Sequence, residues 1–231
     1  MQLHIILTNR ICTIDKKNNR NTIILYLHQK FSMSKNNDDI KVSKIKKVYQ
    51  GYNNINSYKF KHRLFNSSWS KTLRREMIIT KECVCLLPYD KKNNLILLIK
   101  QFRIGAYLAG TNPWQIEVIG GSREISENNP KITIQREAYE EASLCVNYKS
   151  LKKVRTILNS SGITNEKTLI YFSHSNLAKI KGVFGNKFEN EDIKVLKLKP
   201  RKAFNMVKKG EINSVNTIIA LNWLKDNIKN V

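Results

Sequence analysis

The sequence predicts a mixed α/β (α+β) sandwich of strands and helices, preceded by a small antiparallel β segment. Three observations carry that expectation. Short apolar runs with strand character lie both before and after one central helix that begins at Asn129. Two further helical stretches, 200–209 and 214–228, close the chain, the first ended by Gly210. Ahead of all this, residues 58–65 alternate large apolar and basic side chains, the period of a half-buried strand.

Residues 1–40 are weakly patterned and are expected to be a flexible N-terminal extension. Stretches 15–20 and 34–39 are polar linker, and the apolar run 23–27 has nothing nearby to pair with. A translation start at Met33 is a further expectation, which a native peptide containing Gln2 would exclude. Residues 41–80 are expected to form the small β domain. A strand at 48–52 precedes a turn at Asn53 and Asn54; strand 58–65, a turn at 66–68 and strand 72–79 follow. A sheet this exposed either gains by pairing with a second chain or packs on its own core. Residues 81–231 then read as one larger domain. Strands are expected at 83–87, 95–99 and 113–119 before the central helix, and at 153–158, 168–174 and 193–198 after it. The run 95–99 is apolar without interruption, so it should be buried on both faces.

Composition excludes several classes. A hydrophobic fraction of 41% supports a real core, yet no apolar run approaches the roughly 20 residues that span a bilayer. Residues 3–7 lack the basic flank and small-residue cleavage site of a signal peptide. The cysteines (Cys12, Cys83, Cys85, Cys145) form no Cys-x-x-Cys pair with partner histidines, so zinc is not expected and a reduced, cytoplasmic compartment is. His4, His28, His62 and His174 form no cluster. The net charge of +23 would suit nucleic acid or an anionic membrane. The lysines are scattered, however, and the joint excess of Lys, Asn and Ile is what an AT-rich coding sequence produces; the charge is read as compositional.

The chemistry concentrates in residues 120–144. Gly120-Gly121 makes a turn, a loop carries Glu127, and Asn129 can cap a helix whose first position is Pro130. At about 100° per residue, Glu137, Glu140 and Glu141 share one face and Ile134, Ala138 and Ala142 the adjoining one. Arg136 can pair with Glu140 at i+4, but one cation does not balance three carboxylates. A hard divalent cation would, with Glu137 and Glu141 as its side-chain ligands; Glu140 shares that metal or orients the others.

These residues resemble the Nudix box: glycine, five residues, glutamate, seven residues, then R-E-U-x-E-E-x-G-U with U aliphatic. Gly121, Glu127, the hexad from Arg136 to Glu141 and Leu144 match. Two departures stand out: eight residues separate Glu127 from Arg136, and Ser143 replaces the second glycine. If position 143 is left-handed, serine there costs roughly 1 kcal/mol against glycine. From residue 41 onward the chain is similar to the bacterial ADP-ribose pyrophosphatases of that family, through residues 60–65 and 74–76, residues 86–90, Gln101-Phe102-Arg103, Pro113-Trp114, the loop 189–193 and the closing helices.

The resemblance implies a Nudix-type α/β/α sandwich, a homodimer formed through the N-terminal β domain, and hydrolysis of ADP-ribose to AMP and ribose 5-phosphate with magnesium or manganese. It adds the Gly120 carbonyl to the metal ligands. It makes Glu189 the general base, with Glu191 a supporting carboxylate of the metal site. Tyr52 matches an adenine-stacking aromatic, with Asn53 and Glu76 as polar partners of the same base. Arg103 and Arg75 can hold phosphate or adenine through their donor forks. Ser160, Ser161, Gly162 and Glu166 sit where the family binds the terminal ribose, although the usual proline and second glycine of that loop are absent. Hydrolysis of another nucleotide sugar, such as a nucleoside diphosphate mannose, is the alternative substrate. A non-catalytic nucleotide- or RNA-binding module is the alternative class; the intact Glu137, Glu140, Glu141 and Glu189 weigh against it.

Overall fold

The computed structural model describes residues 38–231 apart from 125, 187 and 189. The expectations for residues 1–37, and for Glu189, lie outside the described residues.

Among the described residues, Lys61–Ser70 groups with residues 38–41 as one compact unit, while Val42–Phe60 and Lys71–Val231 form the other. In the first unit the Trp69 ring carries two cations, Lys41 Nζ at 4.4 Å and Arg63 Cζ at 4.3 Å from its centroid, a contact type worth about 0.5–1 kcal/mol at exposed sites. The turn expected at 66–68 is present. The Asn66 carboxamide oxygen accepts from the Ser68 N–H at 3.1 Å and from its hydroxyl at 2.7 Å, an Asx turn.

A three-stranded antiparallel sheet runs in the order β1 (Ile40–Gln50), β2 (Asn54–His62), β3 (Leu73–Ile79). Every residue of β1 is exposed, Ile45, Val48 and Tyr49 included. The Ile78 N–H donates to the Ile163 carbonyl at 2.8 Å, so the last strand of this sheet meets the turn at residues 160–166.

The larger sheet has eight strands. Its path is β10 (Val183–Phe184), β11 (Ile193–Leu198), β5 (Leu95–Phe102), β4 (Cys83–Asp90), β9 (Lys167–His174) and β8 (Lys152–Leu158). Only β4 and β9 run parallel. Side-chain alternation builds two cores at once. Val84, Leu86, Leu97 and Ile99 join the core beneath α2 (Pro130–Ala142). Cys85, Leu87, Ile96 and Leu98 join that of α3 (Pro200–Lys208) and α4 (Val215–Asn227), with Ala203, Leu221 and Leu224. Ile96 to Ile99 are wholly buried, as a strand covered on both faces must be.

One departure from the expected strands shapes the site. In place of a single strand at 113–119 there are two: β6 (Trp114–Glu117) pairs with β5, and β7 (Ile119–Ser122) pairs with β4. β4 and β5 are paired to each other only beside their hairpin, at Tyr89 with Ile96 and Asp90 with Leu95. The chain therefore crosses at Val118 from one strand to the other, and the Val118 N–H is satisfied by the Thr217 hydroxyl of α4 at 3.0 Å. A short helix absent from the sequence expectations, α1 (Ile104–Leu108), links β5 to β6; it has no side-chain cap and no buried residue.

Candidate active site

The helix α2 is set by its cap. Asn129 is extended and its side chain accepts from the Lys131 N–H at 3.0 Å, with Pro130 in the first turn. Ile134, Ala138 and Ala142 are 0–1% exposed and lock the helix phase against the sheet. That phase turns Glu141 inward: it is 3% exposed and accepts the Gly120 N–H at 2.9 Å. Glycine is required opposite it. A Cβ at Gly120 would lie 2.6 Å from the Val84 carbonyl oxygen, and one at Gly121 would overlap the Glu137 carboxylate.

Arg136 ties the remaining acids together. Its Nε donates to Glu127 at 2.9 Å, its Nη1 reaches Glu137 and Glu140 at 2.9 Å each, and its Nη2 donates to the Ser122 carbonyl at 3.1 Å. The other Glu127 oxygen accepts from the Glu124 N–H at 2.9 Å and the Thr133 hydroxyl at 2.8 Å. The extra loop residue thus leaves the Glu127 to Arg136 contact intact; Asn129, before the helix, donates its amide to the Tyr148 hydroxyl at 2.7 Å. Position 143 is left-handed, with φ 49° and ψ 32°, so Ser143 sits where the pattern has glycine.

Burial is the main force on the acids. It raises the Glu141 carboxyl well above its ordinary range; the Gly120 N–H opposes this, and the charges of Glu137 and Glu191 add to it. Burial likewise pushes Glu137 up to about 7, against Arg136 and with help from Glu140 and Glu191. For Glu127 burial is outweighed by the donors from Arg136, Glu124 and Thr133, and its carboxyl lies below the usual range. The cluster holds more buried negative charge than Arg136 compensates. Hard oxygen donors in such excess fit a hard divalent cation, with Glu137, Glu141 and the Gly120 carbonyl as the groups that could hold it. Among the described residues no three acidic, histidine or cysteine side chains group so as to hold a metal ion without rearrangement.

Glu191 stands close enough for its charge to act on both Glu137 and Glu141. It accepts from the Asn186 N–H at 3.0 Å, and the Gly185 N–H donates to the Glu140 carbonyl at 3.2 Å, so this loop is fastened to the C-terminal part of α2. Arg103 follows β5 and binds Glu117. The other residues expected to touch substrate lie elsewhere. Tyr52 and Asn53 lie in the bend between β1 and β2, and Arg75 and Glu76 in β3; all four are exposed, with Glu76 paired to Arg74 at 3.0 Å. Ser160, Ser161 and Gly162 form the turn between β8 and β9, where Ser160 is left-handed; Glu166 accepts from the Asn159 amide at 2.7 Å.

Three residues near the site were not singled out from sequence. Glu117 collects Arg103 and Gln101. Thr217 anchors the strand crossover. Glu82 takes ion pairs from Arg123 and Lys167, fixing the box loop to the start of β4. Strand pairing and the packing of α4 on the sheet bring these partners together.

A glycine strand end is thus seated on a glutamate-bearing helix inside an α/β/α sandwich. No family model matches the chain. It is 35% identical over 188 residues to the ADP-ribose pyrophosphatase of Escherichia coli, covering 81% of this chain and 88% of that protein. To the ADP-ribose pyrophosphatase of Haemophilus influenzae it is 32% identical over 192 residues, covering 82% and 87%. A GDP-mannose pyrophosphatase of Escherichia coli is 31% identical over 156 residues, covering 66% and 78%. A crystal structure described as an ADP compounds hydrolase shares the fold, with a TM-score of 0.64 at 14% identity over 83% of this chain and 95% of that one. The chain belongs to the Nudix hydrolase family, alongside relatives named ADP-ribose pyrophosphatases that match it over most of their length. That family is generally dependent on divalent metal.

Proposed function

We propose that the protein hydrolyses ADP-ribose to AMP and ribose 5-phosphate with magnesium, or manganese, held by Glu137, Glu141, the Gly120 carbonyl and the carboxylates of Glu140 and Glu191. The observation that carries this is the buried, under-compensated carboxylate set of α2 facing the glycine strand end, in a chain whose extensive relatives act, by name, on ADP-ribose. A bound magnesium ion neutralises diphosphate charge and acidifies a water.

The chain's own residues do the rest. Arg136 and Glu127 hold the acidic face in place. Glu189 takes the proton from the attacking water, and Glu191 steadies the metal-side end of the same loop; the fastening of Gly185 to Glu140 and of Asn186 to Glu191 supports that role for the loop. Arg103 and Arg75 bind phosphate or adenine, Tyr52 stacks on adenine with Asn53 and Glu76 beside it, and Ser160, Ser161, Gly162 and Glu166 receive the terminal ribose. The residue 41–80 sheet, with its exposed apolar β1, supports a homodimer, and residues 81–231 act as the catalytic domain. We place the protein in the cytoplasm on the cysteines that are free among the described residues, Cys83, Cys85 and Cys145; no described helix is long and apolar enough to cross a membrane.

The GDP-mannose pyrophosphatase match favours a second reading, hydrolysis of another nucleotide sugar. Product analysis separates the two. AMP from ADP-ribose, dependent on magnesium and faster than any turnover of GDP-mannose, supports the first; preferential release of GMP from GDP-mannose would replace it with the second. Glu189→Gln is expected to lower kcat while leaving metal affinity nearly unchanged, and a near wild-type kcat would reject Glu189 as the base.

A further inference from the structure

β5 and β6 pair Gln101 with Gln115 and Ile99 with Glu117, which aligns the ends of two strands whose polar side chains are 14 to 16 residues apart in sequence. At that end one carboxylate oxygen, Glu117 Oε2, accepts three hydrogen bonds: from Gln101 Nε2 at 3.0 Å, Arg103 Nε at 3.1 Å and Arg103 Nη2 at 2.9 Å. The Glu117 side chain is 17% exposed and the Arg103 side chain 48%. The acid is therefore set back in the protein and the guanidinium stands in front of it.

The geometry of the fork matters. A guanidinium has five N–H donors along its edges. Glu117 occupies the side edge, using Nε and one hydrogen of Nη2. The end edge, with one hydrogen of Nη1 and the other of Nη2, is left to face outward, and it is the edge that meets two phosphate oxygens at once. The backbone beneath the acid is held as well, because the next residue, Val118, donates its N–H to the buried Thr217 hydroxyl. Glu117 is the register partner of Ile99 and Gln101 is two residues from Ile99 along β5, so both share the face of Ile99, which joins the core beneath α2 and puts the grip on Arg103 on the carboxylate side of the sheet.

We propose that Glu117, braced by Gln101, is a positioning residue: it grips the side edge of Arg103 so that the end edge is presented to the diphosphate of the substrate. This rests on the reading of Arg103 as a substrate-binding residue.

The test is a double-mutant cycle on the full-length enzyme, read as KM and kcat with ADP-ribose and magnesium. Arg103→Ala is expected to raise KM about tenfold, and Glu117→Ala to raise it by about the same factor with kcat within about twofold. Combining them should add almost nothing, because Glu117 acts only through Arg103. Glu117→Gln, which keeps an oxygen acceptor without the charge, should fall between wild type and Glu117→Ala, and it serves as the readable variant if the alanine protein does not fold. A KM effect of Arg103→Ala with none from Glu117→Gln or Glu117→Ala overturns the positioning role alone, as does full additivity in the double variant. An unchanged KM in Arg103→Ala overturns both this proposal and the substrate role of Arg103.

Discussion

The box helix and the three-stranded sheet stand at opposite extremes of the same chain. Around α2 the acidic groups are 3–38% exposed, each side-chain oxygen in use is donated to by a named group, and glycine is demanded by contact with backbone and carboxylate. In the small sheet β1 is exposed along its whole length, Tyr52 in the bend beside it is fully exposed, and Arg75 donates to its neighbour's carbonyl at 2.8 Å. The first region is finished by its own chain. The second presents exposed groups, to which the proposed function gives roles toward a substrate or a second copy. The proposed function thus assigns chemistry to the sheet-packed part and recognition to the exposed part.

The contrast can be broken at several points. Glu141→Gln keeps the shape of the buried side chain but removes its charge; kcat/KM should fall on the order of a thousandfold, since several kcal/mol of transition-state charge stabilisation goes with the cation. Tyr52→Ala should instead raise KM about tenfold and spare kcat, the pattern of lost binding alone. Steady-state kinetics of the two variants side by side checks this, and a kcat effect of equal size in Tyr52→Ala would erase the distinction between the regions.

Arg136→Met should cost stability as well as activity. It leaves Glu127 and Glu137 without their shared partner, and breaking such a partly buried set costs about 2–3 kcal/mol. Urea denaturation would read this as a lower midpoint.

The pH dependence has a definite sign. Glu137 is pushed from 4.5 up to about 7 in the folded protein, so its contribution to stability is present while it is protonated and is lost as pH rises through that window. Metal-free protein should therefore melt at a lower temperature at pH 8 than at pH 5.5, magnesium should restore most at the higher pH, and Glu137→Gln should flatten the slope. Glu127 works the other way at more acidic pH: its carboxyl is held low, so the stability it contributes is lost as pH falls below the ordinary carboxylate range. The smallest effect is expected at Ser143, whose left-handed backbone should gain about 1 kcal/mol from Ser143→Gly.

What could be read from sequence was what is local. The cap at Asn129, the proline after it and the spacing of Ile134, Ala138 and Ala142 define α2 within one stretch of chain, and the structure has each of them where periodicity puts it. The apolar run at 95–99 announced its double burial in the same way. The break between β6 and β7 did not show, because it depends on which neighbour each residue pairs with: β5 for Glu117, β4 for Gly120. Nor did α1, five residues without a cap or a buried face, leave a periodic signature. The hold of Glu117 on Arg103 and the inward turn of Glu141 follow from that same tertiary pairing, since a helical wheel puts Glu137, Glu140 and Glu141 together without saying which one is buried.

The claim that joins these observations is that α2 and the Gly120 strand end form a cation platform. Isothermal titration of magnesium into the metal-free wild-type protein and into Glu141→Gln, at pH 8, tests it most directly. Saturable binding by the wild type that is lost in the variant is the expected result. Equal binding by both would contradict it.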